Sequence, residues 1–270
     1  MNKPELTFSN KKKCFYQQQN SEVDLFLHAN KNQLPVLIKG PTGCGKTRFV
    51  EYMAEKLQRP LYTVACHDDL TASDLVGRFL IGKEGTFWQD GPLTRAVREG
   101  AICYLDEVIE ARKDTTVVIH PLTDDRRILP LDGTGETLHA ATGFMLVMSY
   151  NPSYRNLMKG LKPSTRQRFV SIGFDYPKPE AEAAILIHEA GVSPERAYLL
   201  SNLGTALRQL RDADLEEAPS TRLLVLCAQL MSSGLDMTTA TEAALVQTST
   251  DDAITQEAIR QVINAIAPSN

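Results

Sequence analysis

The sequence lacks the features of a secreted, membrane-embedded or nucleic-acid-coating protein. Its five cysteines are odd in number and include no CxxC pair, which argues against a disulfide framework or a zinc ribbon. No apolar run approaches the roughly 20 residues that span a bilayer, and the polar start MNKPELTFSNKKKCF has no apolar signal core. A net charge of −4 gives no basic footprint for nucleic acid. We therefore expect a cytoplasmic protein without membrane insertion or a nucleic-acid partner.

The chain does contain enough apolar residues to fold around a real core. It has 270 residues, 43% of them hydrophobic, which suits one large domain or a large and a small one. Apolar, strand-like runs alternate with helical patterns, and several of these runs end in polar residues. This alternation predicts an α/β fold with a parallel sheet and helices on both faces, and ligands at the carboxyl ends of the strands. The four runs are LPVLIKG, PLYTVAC, GAICYLDE and GFMLVMSYNP.

The composition changes at FDYPKPEAEAA, where two prolines precede a region rich in Ala and Leu. Beyond this point four segments have apolar residues at helical spacing, with serines at plausible helix starts. We therefore predict an α/β nucleotide-binding domain over residues 1–175 and an all-helical domain over residues 176–270.

The segment GPTGCGKT lies between a predicted strand and a predicted helix and fits the phosphate-loop pattern G-x-x-x-x-G-K-[ST]. Glycines let successive backbone N–H groups wrap a phosphate at the positive end of a helix. Lys46 would contact the β- and γ-phosphates, and Thr47 would bind Mg²⁺. We therefore predict an ATP site, against the alternative of a fortuitous Gly-rich turn. Its residues are Gly40, Pro41, Thr42, Gly43, Cys44, Gly45, Lys46 and Thr47.

Polar residues follow two other predicted strands. Asp106 and Glu107 end AICYLDE in the manner of a Walker B segment, where the first carboxylate supports the metal and the second polarises water. Asn151 follows the next strand, where its amide would lie between that water and the γ-phosphate. The competing interpretations are a solvated acidic turn and an ordinary Asn-Pro turn. We favour metal-dependent hydrolysis of ATP.

Three arginines are candidates for contacting the γ-phosphate. Arg166 and Arg168 in KPSTRQRF follow the Asn151 strand, and such residues often act on a neighbouring subunit's nucleotide. Arg222 opens a helix of the second domain and would contact the nucleotide of its own subunit. The alternatives are a surface salt-bridge pair and a plain helix-start arginine.

Two stretches look like insertions in the α/β pattern. Residues 74–96 interrupt an expected helix with Gly-containing turns, and residues 125–143 have the pattern of a hairpin. The first contains Phe79, Phe87 and the only tryptophan, Trp88. Partner binding and ordinary core packing explain these aromatics equally well.

Taken in this order, the motifs resemble the MoxR branch of AAA+ ATPases. The runs VACHDDLTASDLVGRFL, WQDGPLTRAVREGAICYLDEVIEARKDTTVVIHPLTDDRRILP and LKPSTRQRF are similar to the CbbQ/NorQ/NirQ group, most of all to CbbQ. The resemblance covers nearly the whole chain. It implies a homo-oligomer, a hexameric ring, in which the α/β domain is followed by a helical lid. In that ring the insertion at residues 74–96 precedes a pre-sensor-1 hairpin at residues 125–143, and both project from one face or line the pore.

The resemblance also implies a function. CbbQ-like proteins are rubisco activases, which remodel rubisco so that inhibitory sugar phosphates leave it, together with a CbbO-type partner carrying a von Willebrand factor A domain. NorQ-like relatives have nitric oxide reductase as client instead. Two further alternatives stay open from the residues alone: a small-molecule kinase and a nucleotide-gated binding module.

Overall fold

A computed structural model describes residues 14–83, 85–112, 115–152, 161–210 and 218–267 of the chain, with only the backbone of Thr116. The start of the predicted nucleotide-binding domain and residues 216–217 ahead of Arg222 lie outside the described residues.

A five-stranded parallel sheet forms the centre of the N-terminal part. Its order is β2-β5-β8-β1-β9, so the strand that leads into GPTGCGKT lies between two others. The register places Val36 opposite Val147 on one side and Val170 on the other. The strands are β1 (Val36–Lys39), β2 (Leu61–Ala65), β5 (Ile102–Asp106), β8 (Met145–Tyr150) and β9 (Val170–Gly173).

Helices cover both faces of this sheet. Val36 and Ile38 of β1 pack into the core beneath the first two helices, whereas Leu37 packs into the core on the opposite face. The alternation follows from the two-residue period of a strand, and the continuous apolar runs follow from burial on both faces. The helices of this part are α1 (Glu22–Lys31), α2 (Lys46–Lys56), α3 (Ala72–Val76), α4 (Pro92–Glu99) and α5 (Pro163–Arg166). Two 3₁₀ segments, Val108–Glu110 and Thr115–Leu122, follow β5.

Both predicted insertions contain antiparallel hairpins. The first hairpin is β3 (Gly77–Gly82) with β4 (Gly85–Asp90), between α3 and α4. The second is β6 (Ile128–Leu131) with β7 (Glu136–His139), ahead of β8. In the first, the exposed fraction is 52% for Phe79 and 52% for Phe87, while Trp88 is half-buried. The two phenylalanines are therefore not core residues.

The C-terminal part is helical and has its own apolar core, which includes Leu186, Leu200, Leu224 and Ile259. Ser193 and Ser220 cap α7 and α8 through their side chains, at the two starts that the sequence predicts. The helices are α6 (Pro179–Ala190), α7 (Pro194–Gln209), α8 (Thr221–Ser232), α9 (Met237–Thr241), α10 (Gln247–Ser249) and α11 (Ala253–Ile266), with a π-helical turn at Glu242–Val246.

The fold confirms the predicted α/β class, with its parallel sheet and helical C-terminal region. The predicted boundary between residues 175 and 176 falls between β9 and α6. The elements that were not predicted include the strand β9 and the helical stretch from Met237 to Ser249. Among the described residues no helix is long and apolar enough to cross a bilayer.

Candidate functional site

The phosphate-loop motif forms a tight turn between β1 and α2. Gly43 and Gly45 have φ angles of 69° and 99°, in the left-handed region that glycine adopts without strain. Gly45 is the N-cap of α2, so the first backbone N–H groups of that helix, at its positive end, border the loop. The local geometry is that of an anion site.

Lys46 is buried beneath this turn, with an exposed fraction of 5%. Its Nζ donates to the carbonyl oxygens of Gly40 and Pro41 at 2.9 and 3.0 Å and lies 3.4 Å from Glu107 Oε1. Gly40 and Pro41 thus orient the lysine, while the residues after them face the cavity described below. The ammonium is fixed in place before any phosphate contacts it.

Thr47 and Asp106 meet across the sheet edge. Thr47 Oγ1 donates to Asp106 Oδ2 at 3.0 Å, although the two residues are 59 positions apart in the chain. Burial first, and then the Asp106 carboxylate, raise the pKa of the Tyr104 phenol, so it stays protonated and donates to Asp106 Oδ1 at 2.6 Å. A hydroxyl and a carboxylate are the hard oxygen ligands that Mg²⁺ takes, usually one or two at a time. The pair therefore fits Mg²⁺ carried by a nucleotide.

Glu107 has an unusual backbone. Its φ of 52° lies in the left-handed region, which non-glycine residues adopt at a cost and which is common at functional sites. Its Oε2 is buried without a hydrogen-bond partner among the described residues, and its Oε1 lies beside Lys46. One carboxylate oxygen is thus available as a proton acceptor.

Asn151 follows β8 directly and is 1% exposed. Its amide Nδ2 lies 3.1 Å from Thr42 Oγ1, which joins the end of β8 to the phosphate loop. The fold therefore places Asn151 beside the phosphate loop.

A cavity of about 690 Å³ lies over the loop, within the size range of nucleotide and drug sites. Residues from three parts of the chain line it: the segment before α1, the phosphate loop with Asp106 and Glu107, and the C-terminal helices. The lining includes Thr42 to Arg48 but not Gly40, Pro41 or Asn151. Burial raises the pKa of the Cys44 thiol to about 11, so this lining residue is a neutral thiol near neutral pH.

The C-terminal helices form one wall of the cavity. Arg222, in the first turn of α8, lines it, as do Thr221 and Val225. Ser220 lies so near Gly43 that a Cβ at Gly43 would lie 2.5 Å from the serine Oγ. Arg222 thus lies in the wall of the cavity over the phosphate loop of its own chain.

Arg166 and Arg168 do not line the cavity. Arg168 Nη1 donates to the His120 carbonyl at 3.2 Å and lies 3.4 Å from Asp124 Oδ2. The side chain of Arg166 is exposed and makes no hydrogen bond or ion pair with the residues that the structure describes. The fold thus separates these arginines from the phosphate loop of their own chain.

The wall formed by the segment before α1 was not predicted. Phe15, Tyr16, Gln17 and Gln19 line the cavity. The Phe15 ring stacks on His188 of α6, with centroids 3.9 Å apart. No motif marks these residues, because their position depends on contacts between segments that are distant in the chain.

A parallel sheet with this loop and a helical C-terminal region defines the class of AAA+ P-loop ATPases. Two solved structures share the fold. A proposed ATPase from Cytophaga hutchinsonii superposes with a TM-score of 0.54 at 14% identity, covering 92% of this chain and 90% of its own. A RuvB variant from Thermotoga maritima does so with a TM-score of 0.56 at 13% identity, covering 89% and 73%.

Sequence comparison identifies the family within the AAA+ ATPases to which the chain belongs. Residues 35–169 match the AAA domain (dynein-related subfamily), and residues 182–266 match the CbbQ/NirQ/NorQ C-terminal family. The chain is 60% identical to the denitrification regulatory protein NirQ of Pseudomonas aeruginosa, over 93% of this chain and 96% of the relative. It is 59% identical to NorQ of Paracoccus denitrificans, over 93% of both. It is 55% identical to CbbQ of Hydrogenophilus thermoluteolus, over 91% and 92%. The chain belongs to the CbbQ/NirQ/NorQ group of MoxR-like AAA+ ATPases, as its motifs predict.

Proposed function

We propose that this protein binds ATP with Mg²⁺ in the cavity over residues 42–48 and hydrolyses it to ADP and phosphate. The observation that carries the proposal is the convergence of Lys46, Thr47, Asp106 and Glu107 at one edge of the sheet. Thr47 Oγ1 and Asp106 Oδ2 are 3.0 Å apart, and Lys46 Nζ and Glu107 Oε1 are 3.4 Å apart. Lys46 and Thr47 begin α2, and Asp106 and Glu107 lie at the end of β5, so one site combines phosphate binding with water activation.

Each residue has a distinct task. The backbone N–H groups of the loop and Lys46 bind the phosphates, while Thr47 and Asp106 hold Mg²⁺, which neutralises charge that develops on the phosphate oxygens. Glu107 accepts a proton from the attacking water, and Asn151 orients that water. Phe15 and Tyr16 on one side and Val225 on the other enclose the rest of the nucleotide.

We further propose that Arg168, helped by Arg166, acts on the nucleotide of an adjacent subunit in a hexameric ring. The support is that both residues lie away from the cavity of their own chain and that Arg166 is exposed. Arg222 acts within its own subunit, where it lines the cavity from the first turn of α8. Hydrolysis then changes the angle between the C-terminal helices and the sheet, and the two hairpins transmit that change.

For the client we propose rubisco, remodelled in the cytoplasm so that inhibitory sugar phosphates leave it, with a CbbO-type partner that has a von Willebrand factor A domain. The support is the resemblance carried by the three quoted runs and the 55% identity to a protein named CbbQ.

A second client has its own support. Relatives named NirQ and NorQ are 60% and 59% identical, and the first is called a denitrification regulatory protein. The same ATPase acting on nitric oxide reductase during its assembly is therefore the alternative.

The deciding experiment measures return of carboxylase activity to inhibitor-locked rubisco, with ATP and the CbbO-type partner. Wild type is compared with Glu107→Gln, which keeps the side-chain volume but removes the proton acceptor. We expect recovery with wild type alone. If wild type hydrolyses ATP but rubisco stays locked with its cognate partner present, the rubisco assignment is wrong and activation of nitric oxide reductase is tested in the same way.

A control in the same reactions addresses the enzyme class. Released inorganic phosphate is compared with phosphate transferred to any small molecule. Free phosphate in proportion to ADP supports an ATPase, whereas a phosphorylated product would identify a kinase. Nucleotide binding with neither product would identify a nucleotide-gated binding module.

A further inference from the structure

The Asp106 carboxylate receives three hydroxyl groups. Tyr104 OH lies 2.6 Å and Ser149 Oγ 2.5 Å from Oδ1, and Thr47 Oγ1 lies 3.0 Å from Oδ2. Tyr104 and Ser149 are both fully buried, at 0% exposure, and their oxygens are 3.0 Å apart. The carboxylate is therefore fixed by two buried donors on one oxygen.

This asymmetry assigns different tasks to the two oxygens. A carboxylate oxygen has about two lone-pair sites, and two hydroxyl donors use both sites on Oδ1. Oδ2 is left facing the hydroxyl of Thr47, the last residue of the phosphate-loop motif. Without Tyr104 and Ser149 the carboxyl plane would be free to turn about its Cβ–Cγ bond, where torsional preferences are broad.

Ser149 makes one contact that Tyr104 does not. Its Oγ accepts from the Glu107 backbone N–H at 3.2 Å, at the residue whose φ of 52° is costly for a non-glycine. One buried hydroxyl on β8 therefore contacts both acidic residues at the end of β5. It acts on the side chain of Asp106 and on the main chain of Glu107.

We propose that Tyr104 and Ser149 are positioning residues for the ATP hydrolysis proposed above, on which this inference rests. Tyr104 and Ser149 together orient Asp106 so that Oδ2 faces the nucleotide's Mg²⁺. Ser149 alone also holds the Glu107 backbone, so that its carboxylate stays beside Lys46. The two residues share the first task and differ in the second.

The test separates metal affinity from turnover. Binding of a fluorescent, slowly hydrolysed ATP analogue to the full chain is measured in EDTA and across a MgCl₂ titration. Turnover of ATP is then measured at saturating Mg²⁺. The variants are Tyr104→Phe, Ser149→Ala and the hydroxyl-preserving Ser149→Thr. Matched controls remove the same groups elsewhere: Tyr62→Phe on the edge strand β2 and Ser201→Ala in α7, which is also fully buried.

We expect both Tyr104→Phe and Ser149→Ala to raise the half-saturating Mg²⁺ concentration by roughly 10–100-fold, the usual cost of removing a partner of a metal ligand. Binding in EDTA stays at the wild-type value. At saturating Mg²⁺ the turnover of Tyr104→Phe recovers, whereas that of Ser149→Ala stays at least about tenfold low, and Ser149→Thr restores it. Tyr62→Phe and Ser201→Ala behave as wild type.

Two results would overturn the inference, and they differ in what else they overturn. If wild type needs Mg²⁺ and both variants keep its Mg²⁺ dependence while melting at the wild-type temperature, the positioning role is wrong and the ATPase proposal stands. If wild type binds the analogue equally with and without Mg²⁺, the proposed function fails as well. Should Ser149→Ala not fold, Tyr104→Phe alone decides the shared task, and an unchanged Mg²⁺ dependence in that variant overturns the inference.

Discussion

At the scale of single residues, Gly43 joins the phosphate loop to the C-terminal helices. Its φ is 69°, and a Cβ there would lie 2.5 Å from both Cβ and Oγ of Ser220. Gly43→Ala therefore adds backbone strain of about 1–3 kcal/mol and displaces the start of α8, which bears Arg222. We expect at least a tenfold loss of ATP affinity by calorimetry. Gly173→Ala is the control, because nothing lies within 4 Å of its Cβ. Equal affinities in the two variants would mean that the close approach to Ser220 is not needed.

Arg168 is the residue that most directly tests the proposed ring mechanism. Its partner Asp124 has a pKa lowered to about 2, chiefly by hydrogen bonds from Arg126. A carboxyl group with a lowered pKa stabilises the folded state at pH values above its unfolded pKa, and this stabilisation is lost as the pH falls through the folded value of about 2. Asp124 is therefore charged at any working pH. In the proposed action on an adjacent subunit, Arg168 would therefore have to leave a charged carboxylate.

We expect Arg168→Ala to bind ATP normally and to lose about 10³-fold or more in turnover, as for other arginine fingers. Mixing it with Glu107→Gln subunits should restore part of the activity, because each interface then has a chance to combine an intact finger with an intact Glu107. Turnover of the mixture is compared with that of each variant alone. No recovery in rings proven to be mixed by mass spectrometry would exclude action in trans.

At the scale of elements, the two hairpins are joined to each other. The Trp88 ring of β4 lies against Gly133 in the turn of the second hairpin, where an added Cβ would lie 2.6 Å from it. Arg98 of α4 reaches Asp90 at 2.9 Å and Glu136 at 2.6 Å, one carboxylate from each hairpin. The hairpins are thus positioned to move as one unit.

Gly133→Ala should separate this contact. The new methyl group displaces the indole, so the emission of the only tryptophan shifts to longer wavelength as water reaches the ring. Asp132→Ala, an exposed change in the same turn, should leave the spectrum unaltered. An unchanged spectrum in Gly133→Ala would show that the indole does not depend on the second hairpin.

How far the sequence predicts these elements depends on their apolar pattern. The strands that are buried on both faces have long apolar runs, so β1, β5 and β8 are visible in the sequence. Strand β9 has only Ile172 fully buried among four residues and leaves no such run. The stretch from Met237 is rich in threonine and includes a π-helical turn, which breaks the helical period.

The residues of the candidate site also differ in how far the sequence predicts them. Two short motifs, GPTGCGKT and AICYLDE, contain Lys46, Thr47, Asp106 and Glu107, and each motif indicates the chemistry of its residues. The wall around Phe15 and the Ser149 hydroxyl act through contacts between distant segments, which a local pattern does not encode.

At the scale of the whole molecule, a buried ion pair stabilises the helical wall of the cavity. Glu182 is 0% and Arg208 is 11% exposed, with 2.7 Å between Oε1 and Nη2. Thr221 Oγ1 also donates to Glu182 at 2.6 Å, next to Arg222. The guanidinium of Arg208 lies over the ring of Tyr176, whose hydroxyl reaches the carbonyl of Thr42. The phosphate loop and the helical core are therefore connected through a short series of contacts.

Arg208→Met leaves the Glu182 charge buried without its partner, which costs about 3–5 kcal/mol. We expect that loss in urea unfolding followed by far-ultraviolet circular dichroism. Arg260→Met is the control: its pair with Glu242 is 33% and 36% exposed, and exposed pairs contribute at most about 1 kcal/mol. Similar losses of unfolding free energy in the two variants would show that burial of the Glu182–Arg208 pair does not make it more important for stability than an exposed pair.

The cavity's three walls have a consequence for how the chain unfolds. Phe15 near one end and Val225 far along the chain line the same space, so one bound nucleotide would contact the segment before α1 and the C-terminal helices at once. A ligand that binds only the native state adds about 2.7 kcal/mol at a hundredfold excess over its Kd. Because that energy requires both walls at once, calorimetry should resolve separate melting steps without nucleotide and a single, later step with it. The nucleotide would then determine whether the sheet and the helices behave as one cooperative folding unit or as two.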